Sequence, residues 1–107
     1  MLAAFSVAPS GGRSDESVHD AVAAAVKIVR DSGLPNHTDA MFTTIEGEWD
    51  EVFGVIQRAV DAVSRFGSRV SLVIKADIRP GHTGEITAKV ERLERAMAAQ
   101  AKIAPAA

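Results

Sequence analysis

The sequence predicts an α+β ferredoxin-like plait, βαββαβ with one further helix at its C-terminal end, and an antiparallel sheet in the spatial order 4-1-3-2. Three observations carry that prediction. Segments of strand and helix periodicity follow one another in the order strand, helix, strand, strand, helix, strand, helix. Two right-handed split crossovers over one sheet connect such an order. The third observation is scale: 107 residues, 47% hydrophobic and 24% charged, suit one core and leave no room for two.

The first strand is Leu2 to Ala8, stopped by Pro9 and the cluster Ser10, Gly11, Gly12. Its alternation puts Ala3, Phe5 and Val7 on one face and Leu2, Ala4, Ser6 and Ala8 on the other. Both faces are small or apolar, as in a central strand. A helix follows, capped by Ser14 with Asp15 and Glu16 at its positive end, and running to Ser32. Val18, Val22, Ala25 and Val29, with Ala21 and Ile28 beside them, form its apolar stripe. Gly33 supplies a left-handed stop and Pro35 prevents continuation.

Asn36 to Ala40 reads as an edge strand, joined by a tight turn to Phe42 to Glu46. The second helix starts at Glu48 and carries Trp49, Val52, Phe53, Ile56, Val60, Val63 and Phe66 on one face, with Gly67 closing it. Glu48, Asp50 and Glu51 are explained by the dipole of its first turn. Arg69 to Ile78 alternates as the last strand, with Val70, Leu72, Ile74, Ala76 and Ile78 against Ser71, Val73, Lys75 and Asp77. Pro80 and Gly81 mark a turn, Thr83 is placed to cap, and Ile86, Val90, Leu93 and Met97 space out a third helix. The domain is expected to span 1–97, with 98–107 an Ala- and Pro-rich tail that frays.

Both repeat helices should cover one sheet face. The other would hold Ala4, Ser6, Phe42, Thr44, Glu46, Ser71, Val73 and Lys75, a mixture too apolar to be left wet, so burial against a second subunit is expected.

Composition excludes several classes. A net charge of −2 and a pI near 5.9 argue against nucleic-acid and anionic-membrane partners. No apolar run reaches the roughly 18 residues of a membrane span. With no cysteine, disulfides and thiolate chemistry are ruled out. His19, His37 and His82 are scattered without metal-ligand spacing, so no metal site is expected. The apolar start, Met1 to Pro9, lacks a basic leader, and a cytoplasmic location is expected.

One plait hosts many activities, so three functions are compatible: a ligand-binding protein, a regulatory or structural oligomeric interaction module, and a small dimeric ferredoxin-like enzyme. The enzyme ranks last because the chain has no Tyr and no His in its well-marked strands. Candidate site residues cluster on the first strand and the strand pair. Ser6 is a hydroxyl among small apolar residues and needs a partner. Thr43 and Thr44 point to opposite faces, so alternation lets only Thr44 share a face with Ser6. Asp39 and Glu46 are the nearest carboxylates; taken alone, Asp39 reads as a turn residue and Glu46 as the partner of Lys75.

Phe5 to Val7 with Pro9, Met41 with Thr43, Ile45 to Val52, Arg69 to Ser71, Ile74 with Lys75, Asp77 and Arg79 together resemble the small thiamine-binding proteins of the YkoF-like superfamily. The likeness covers nearly the whole chain, and the run Ile45 to Val52 is its specific part. The resemblance implies non-catalytic binding of thiamine or its hydroxymethylpyrimidine moiety, for sequestration or delivery. Thiamine would be the ligand, with no separate cofactor. It also implies a homo-oligomer, a tetramer built as a dimer of dimers through the sheets. Ser6, Asp39, Thr43, Thr44 and Glu46 are the ligand-binding residues expected on this basis, with Thr43 favoured by the resemblance and Thr44 by alternation. A carboxylate would complement the cationic thiazolium. Pro and Gly often stand in that family where this chain has Ala40 and Phe42, so Phe42 adds a large side chain beside the expected site.

Overall fold

Strand β1 (Leu2–Ser10) lies inside a four-stranded antiparallel sheet ordered β2-β3-β1-β4, with β2 at Asn36–Thr38, β3 at Thr43–Glu46 and β4 at Arg69–Asp77. Counted from the other edge, this is the predicted order 4-1-3-2. The structure, a computed structural model, describes residues 1–11 and 18–103. β1 pairs with β4 over its full length and with β3 only from Leu2 to Phe5.

Helices α1 (Val18–Asp31) and α2 (Trp49–Val63) cover the sheet face that carries Ala3, Phe5, Val7 and Ile45. Ile45, Val29, Val52 and Val63 are the largest fully buried side chains. Each such aliphatic side chain contributes about 1.5–3 kcal/mol by leaving water. The alternation read from the sequence places this face correctly. Its helix stripes need adjustment.

In α1 the buried positions are Ala21, Ala25 and Val29, whereas Val18 and Val22 are exposed by 53% and 37%. Small residues let the helix lie close to the sheet, and the valines flank the contact. The predicted cap at Ser14, with Asp15 and Glu16, and Gly12 before it, lies outside the described residues. Gly33, at φ +78°, makes the expected left-handed stop.

In α2 the first core residue is Val52. Trp49, placed on the core stripe by its spacing, is instead 55% exposed and packs on Phe53 with ring centroids 4.9 Å apart. Helical spacing sets direction around the axis, and a residue at the helix end can point toward the core side and still have nothing above it. Glu48 and Glu51 behave as expected of a helix start, with the Glu48 N–H donating to Glu51 Oε1 at 2.9 Å.

Gly67 has a different role from the one predicted. The chain leaves α2 through one 3-10 turn, Ser64–Phe66, and Gly67 is extended at φ −172°. A Cβ there would stand 2.4 Å from the Ser10 carbonyl oxygen. Glycine is required because the start of β4 presses on the end of β1.

The last helix, α3 (Glu85–Ile103), continues past Met97, where the sequence reading ends the domain. Ala98 to Lys102 are good helix formers and propagate it. Val90, Leu93 and Met97 form the predicted stripe, yet they are exposed by 55%, 59% and 60%. The radius of gyration, 17.2 Å, exceeds the roughly 13 Å of a compact domain of this length, consistent with a helix that projects. Among the described residues no helix is long and apolar enough to cross a membrane.

Gly67→Ala tests the β1–β4 contact. The added methyl must push the Ser10 backbone aside, and a loss of roughly 1–3 kcal/mol is expected, seen as a lower urea midpoint with an unchanged slope; an unaltered midpoint would contradict it.

Candidate functional site

The site grows out of unequal strand lengths. β1 has nine residues and β3 four, and their ladder ends at Phe5 opposite Thr43. Before Thr43 the chain swings away in a turn held by Asp39, whose Oδ1 accepts the N–H groups of Met41 (2.8 Å) and Phe42 (2.9 Å). The Asp39 N–H donates to the Phe42 carbonyl at 2.9 Å. Those two backbone donors, Met41 foremost, hold the Asp39 carboxyl below its ordinary pKa.

Between the turn, the upper part of β1 and the N-terminal half of α1 lies a cavity of about 220 Å³. Its walls are mostly apolar, including Phe5, Val22, Val26, Met41 and Phe42, with Ser6, Thr38, Asp39 and Thr43 supplying the polar groups. Thr43 is 6% exposed, and its hydroxyl lies 3.1 Å from that of Thr38. One hydrogen joins the pair, so the second hydrogen and spare lone pairs stay available. Ser6 lies beyond the last β1–β3 pair, on the stretch of β1 that has no β3 partner. Phe42 is thus a wall of the cavity.

The five expected residues are distributed over three places. Ser6, Asp39 and Thr43 border this cavity. Thr44, pointing to the opposite face, borders a groove of about 590 Å³ between the open sheet face and α3, with Leu2, His37 and Val90. Glu46 is buried at 6% exposure and has another partner: its Oε2 accepts the Glu85 N–H at 2.9 Å and its Oε1 the Ile86 N–H at 3.1 Å. The Glu46–Lys75 ion pair suggested by strand parity does not form. The N-terminus of α3, with its orphan N–H groups and positive dipole end, is a stronger attraction for a buried carboxylate than an exposed lysine. Glu46 also takes the capping role assigned to Thr83.

Around this anchor stands a charged cluster that sequence reasoning missed. Glu85 accepts from Arg92 at 2.6 Å, with Arg79 at 3.9 Å and His82 at 3.3 Å. The Arg92 hydrogen bond is the main reason its carboxyl sits below the usual range. Asp77 pairs with Lys89 at 2.6 Å. Thr38 was missed as well; alternation of a short polar strand offers no cue that its hydroxyl meets Thr43.

Fold and cavity together define the class: a ferredoxin-like plait with a mostly apolar, hydroxyl- and carboxylate-bearing cavity at the edge where β3 leaves β1. The chain belongs to the thiamine-binding protein family, whose model matches residues 3–94. It is 56% identical over 96 residues to the UPF0045 protein Mb1933 of Mycobacterium bovis, covering 89% of this chain and 92% of that protein. Among solved structures it is similar to hypothetical protein MJ1052 of Methanocaldococcus jannascii, with a TM-score of 0.77, 28% identity and coverage of 87% and 94% of the two chains. A domain of unknown function, DUF77, from Bacillus cereus matches with a TM-score of 0.69 and 33% identity over 79% and 83%.

Glu46→Ala leaves the Glu85 and Ile86 N–H groups without their acceptor. Amide exchange at those two positions should accelerate by roughly 5- to 150-fold, as expected for a loss of about 1–3 kcal/mol, while exchange in the β1–β4 ladder stays slow. Unchanged protection would show that α3 is held by something else.

Proposed function

We propose that this protein binds thiamine, without catalysis, by seating the hydroxymethylpyrimidine moiety in the cavity beside β1. The carrying observation is that hydroxyl, carboxylate and free strand edge converge on one apolar-walled cavity. An aminopyrimidine presents donors and acceptors along one edge, and an unpaired strand presents alternating N–H and C=O groups of matching kind. Thr43, and Ser6 at the edge, would complete its hydrogen bonds. Asp39 has both backbone bonds on Oδ1, leaving Oδ2 to face the thiazolium cation. The volume, about 220 Å³, is below the roughly 300 Å³ at which sites for larger ligands begin, which supports one ring as the seated part. Thr44 and Glu46 have no place in this arrangement.

The role we assign is sequestration or delivery of the vitamin in the cytoplasm, needing no further cofactor. Its working form is a homotetramer, a dimer of dimers. The open sheet face and the bare stripe of α3 support assembly, since Val73, Val90, Leu93 and Met97 are each exposed by more than half.

Titration calorimetry should show heat with both thiamine and the free hydroxymethylpyrimidine. Thr43→Val should weaken both by about three- to tenfold, the worth of one hydrogen bond; silence with both ligands at millimolar concentration would sink the proposal. For assembly, Ala4→Glu places a charge on the open face and should give a smaller species by light scattering. A wild type that is already monomeric would refute it.

A further inference from the structure

Two hydroxyls meet at the end of the β2–β3 ladder, where Thr38 stands directly opposite Thr43. Their oxygens are 3.1 Å apart, a separation at which either one can donate. They differ in what else they can reach. Thr43 is 6% exposed and borders the cavity, and among the described residues its side-chain partner is Thr38. Thr38 is half-buried on the edge strand β2, so solvent can serve its own hydrogen.

Each hydroxyl carries one hydrogen, and a buried hydrogen without an acceptor is costly. When Thr43 donates to Thr38 and Thr38 donates to solvent, both hydrogens are satisfied with nothing in the cavity. The opposite sense turns the Thr43 hydrogen toward a mostly apolar space, where an occupant must accept it.

We infer that Thr38 is a specificity-determining residue: by taking the Thr43 hydrogen it makes Thr43 an acceptor toward the cavity, and so selects a pyrimidine bearing an exocyclic amine over one bearing a carbonyl at that position. Thr38 acts through Thr43 and is in that sense a positioning residue. This role rests on the seating of a pyrimidine in the cavity, as proposed above, and adds which of its groups is read.

An amine donates to a Thr43 lone pair with both hydroxyls already set. A carbonyl brings an acceptor to an acceptor, and both hydroxyls must reverse before Thr43 can donate to it. Preorganisation therefore favours the amine. Asp39 acts in the same sense. Its carboxyl, kept ionised by the Met41 and Phe42 N–H groups, can only accept.

Two probes test the role by calorimetry: the free hydroxymethylpyrimidine with its amino group, and the same ring with a carbonyl in place of the amine. Wild type should bind the amino ring about three- to tenfold more tightly, the worth of one hydrogen bond. Val keeps the shape of Thr and removes the acceptor, so in Thr38→Val the Thr43 hydrogen turns to the ligand. The amino ring should then weaken about three- to tenfold, while the oxo ring holds or tightens and the preference vanishes or reverses. Thr38→Ser restores the hydroxyl and should keep the wild-type preference. The ring nitrogen that also changes in the oxo probe is common to all three proteins and cancels when their preferences are compared.

Lost packing alone would weaken both rings in parallel, and that outcome would overturn the inference. So would a wild type that prefers the oxo ring, an unchanged preference in Thr38→Val, or a Thr38→Ser that behaves like Thr38→Val. A ligand-free measurement stands beside these. In a double-mutant cycle of Thr38→Val and Thr43→Val on urea unfolding, the double variant should lose less than the two single variants together; additive losses would remove the hydrogen bond and the inference with it. Wild type silent with both rings would strike the ligand reading and this role together, whereas binding with a preference indifferent to Thr38 strikes the role alone.

Discussion

The mismatch between a nine-residue β1 and a four-residue β3 is the constraint from which the candidate site follows. Along Leu2–Phe5 both sides of β1 are bonded; beyond Phe5 only the β4 side is. The chain cannot simply continue the ladder there, because Asp39 turns it sharply and ties the Met41 and Phe42 N–H groups to its own side chain. Space opens between strand, turn and α1. Backbone groups that a longer β3 would have satisfied are left beside it, together with the Thr38–Thr43 hydroxyl pair. A shorter ladder thus leaves part of a core strand as an open edge beside the cavity.

Helices cover one side of the sheet only, and this second asymmetry governs the rest of the molecule. On the open side the buried carboxylate of Glu46 fixes where α3 begins by accepting two of its N–H groups. Glu46 and Thr43 belong to the same four-residue strand, so the strand that borders the cavity on one face anchors α3 on the other. The helix then extends with its stripe of Val90, Leu93 and Met97 unburied. An amphipathic helix gains most of its stability from burying that stripe, and an isolated subunit leaves that gain unrealised.

Much of the fold was legible because a period of two is a direct consequence of strand geometry. Ala3, Phe5 and Val7 are inside as their alternation requires, and the order of periodicities was enough for the topology. Helical stripes were legible in kind and less so in extent. Trp49 and Val22 have the right spacing for the core and are exposed, since spacing says nothing about how far a neighbouring surface reaches along the helix. Gly67 was legible as important and not as to why: its role is contact with Ser10 across the sheet, not a left-handed turn. Of the candidate residues, Ser6, Asp39 and Thr43 border the cavity, and Thr38, which borders it too, carried no cue in the sequence.

The residues alone determined the alternating faces, the plait, the stop at Gly33 and the family to which the chain belongs, because each depends on local geometry or on a contiguous pattern. Only the tertiary structure decided that Glu46 serves α3 instead of Lys75, that Thr43 and Thr44 border different spaces, and that the cavity lies where β3 ends. Those outcomes turn on which groups meet across the sheet, such as Glu46 and Glu85, 39 positions apart. A buried carboxylate goes to the strongest donors within reach, and reach is a property of the folded chain.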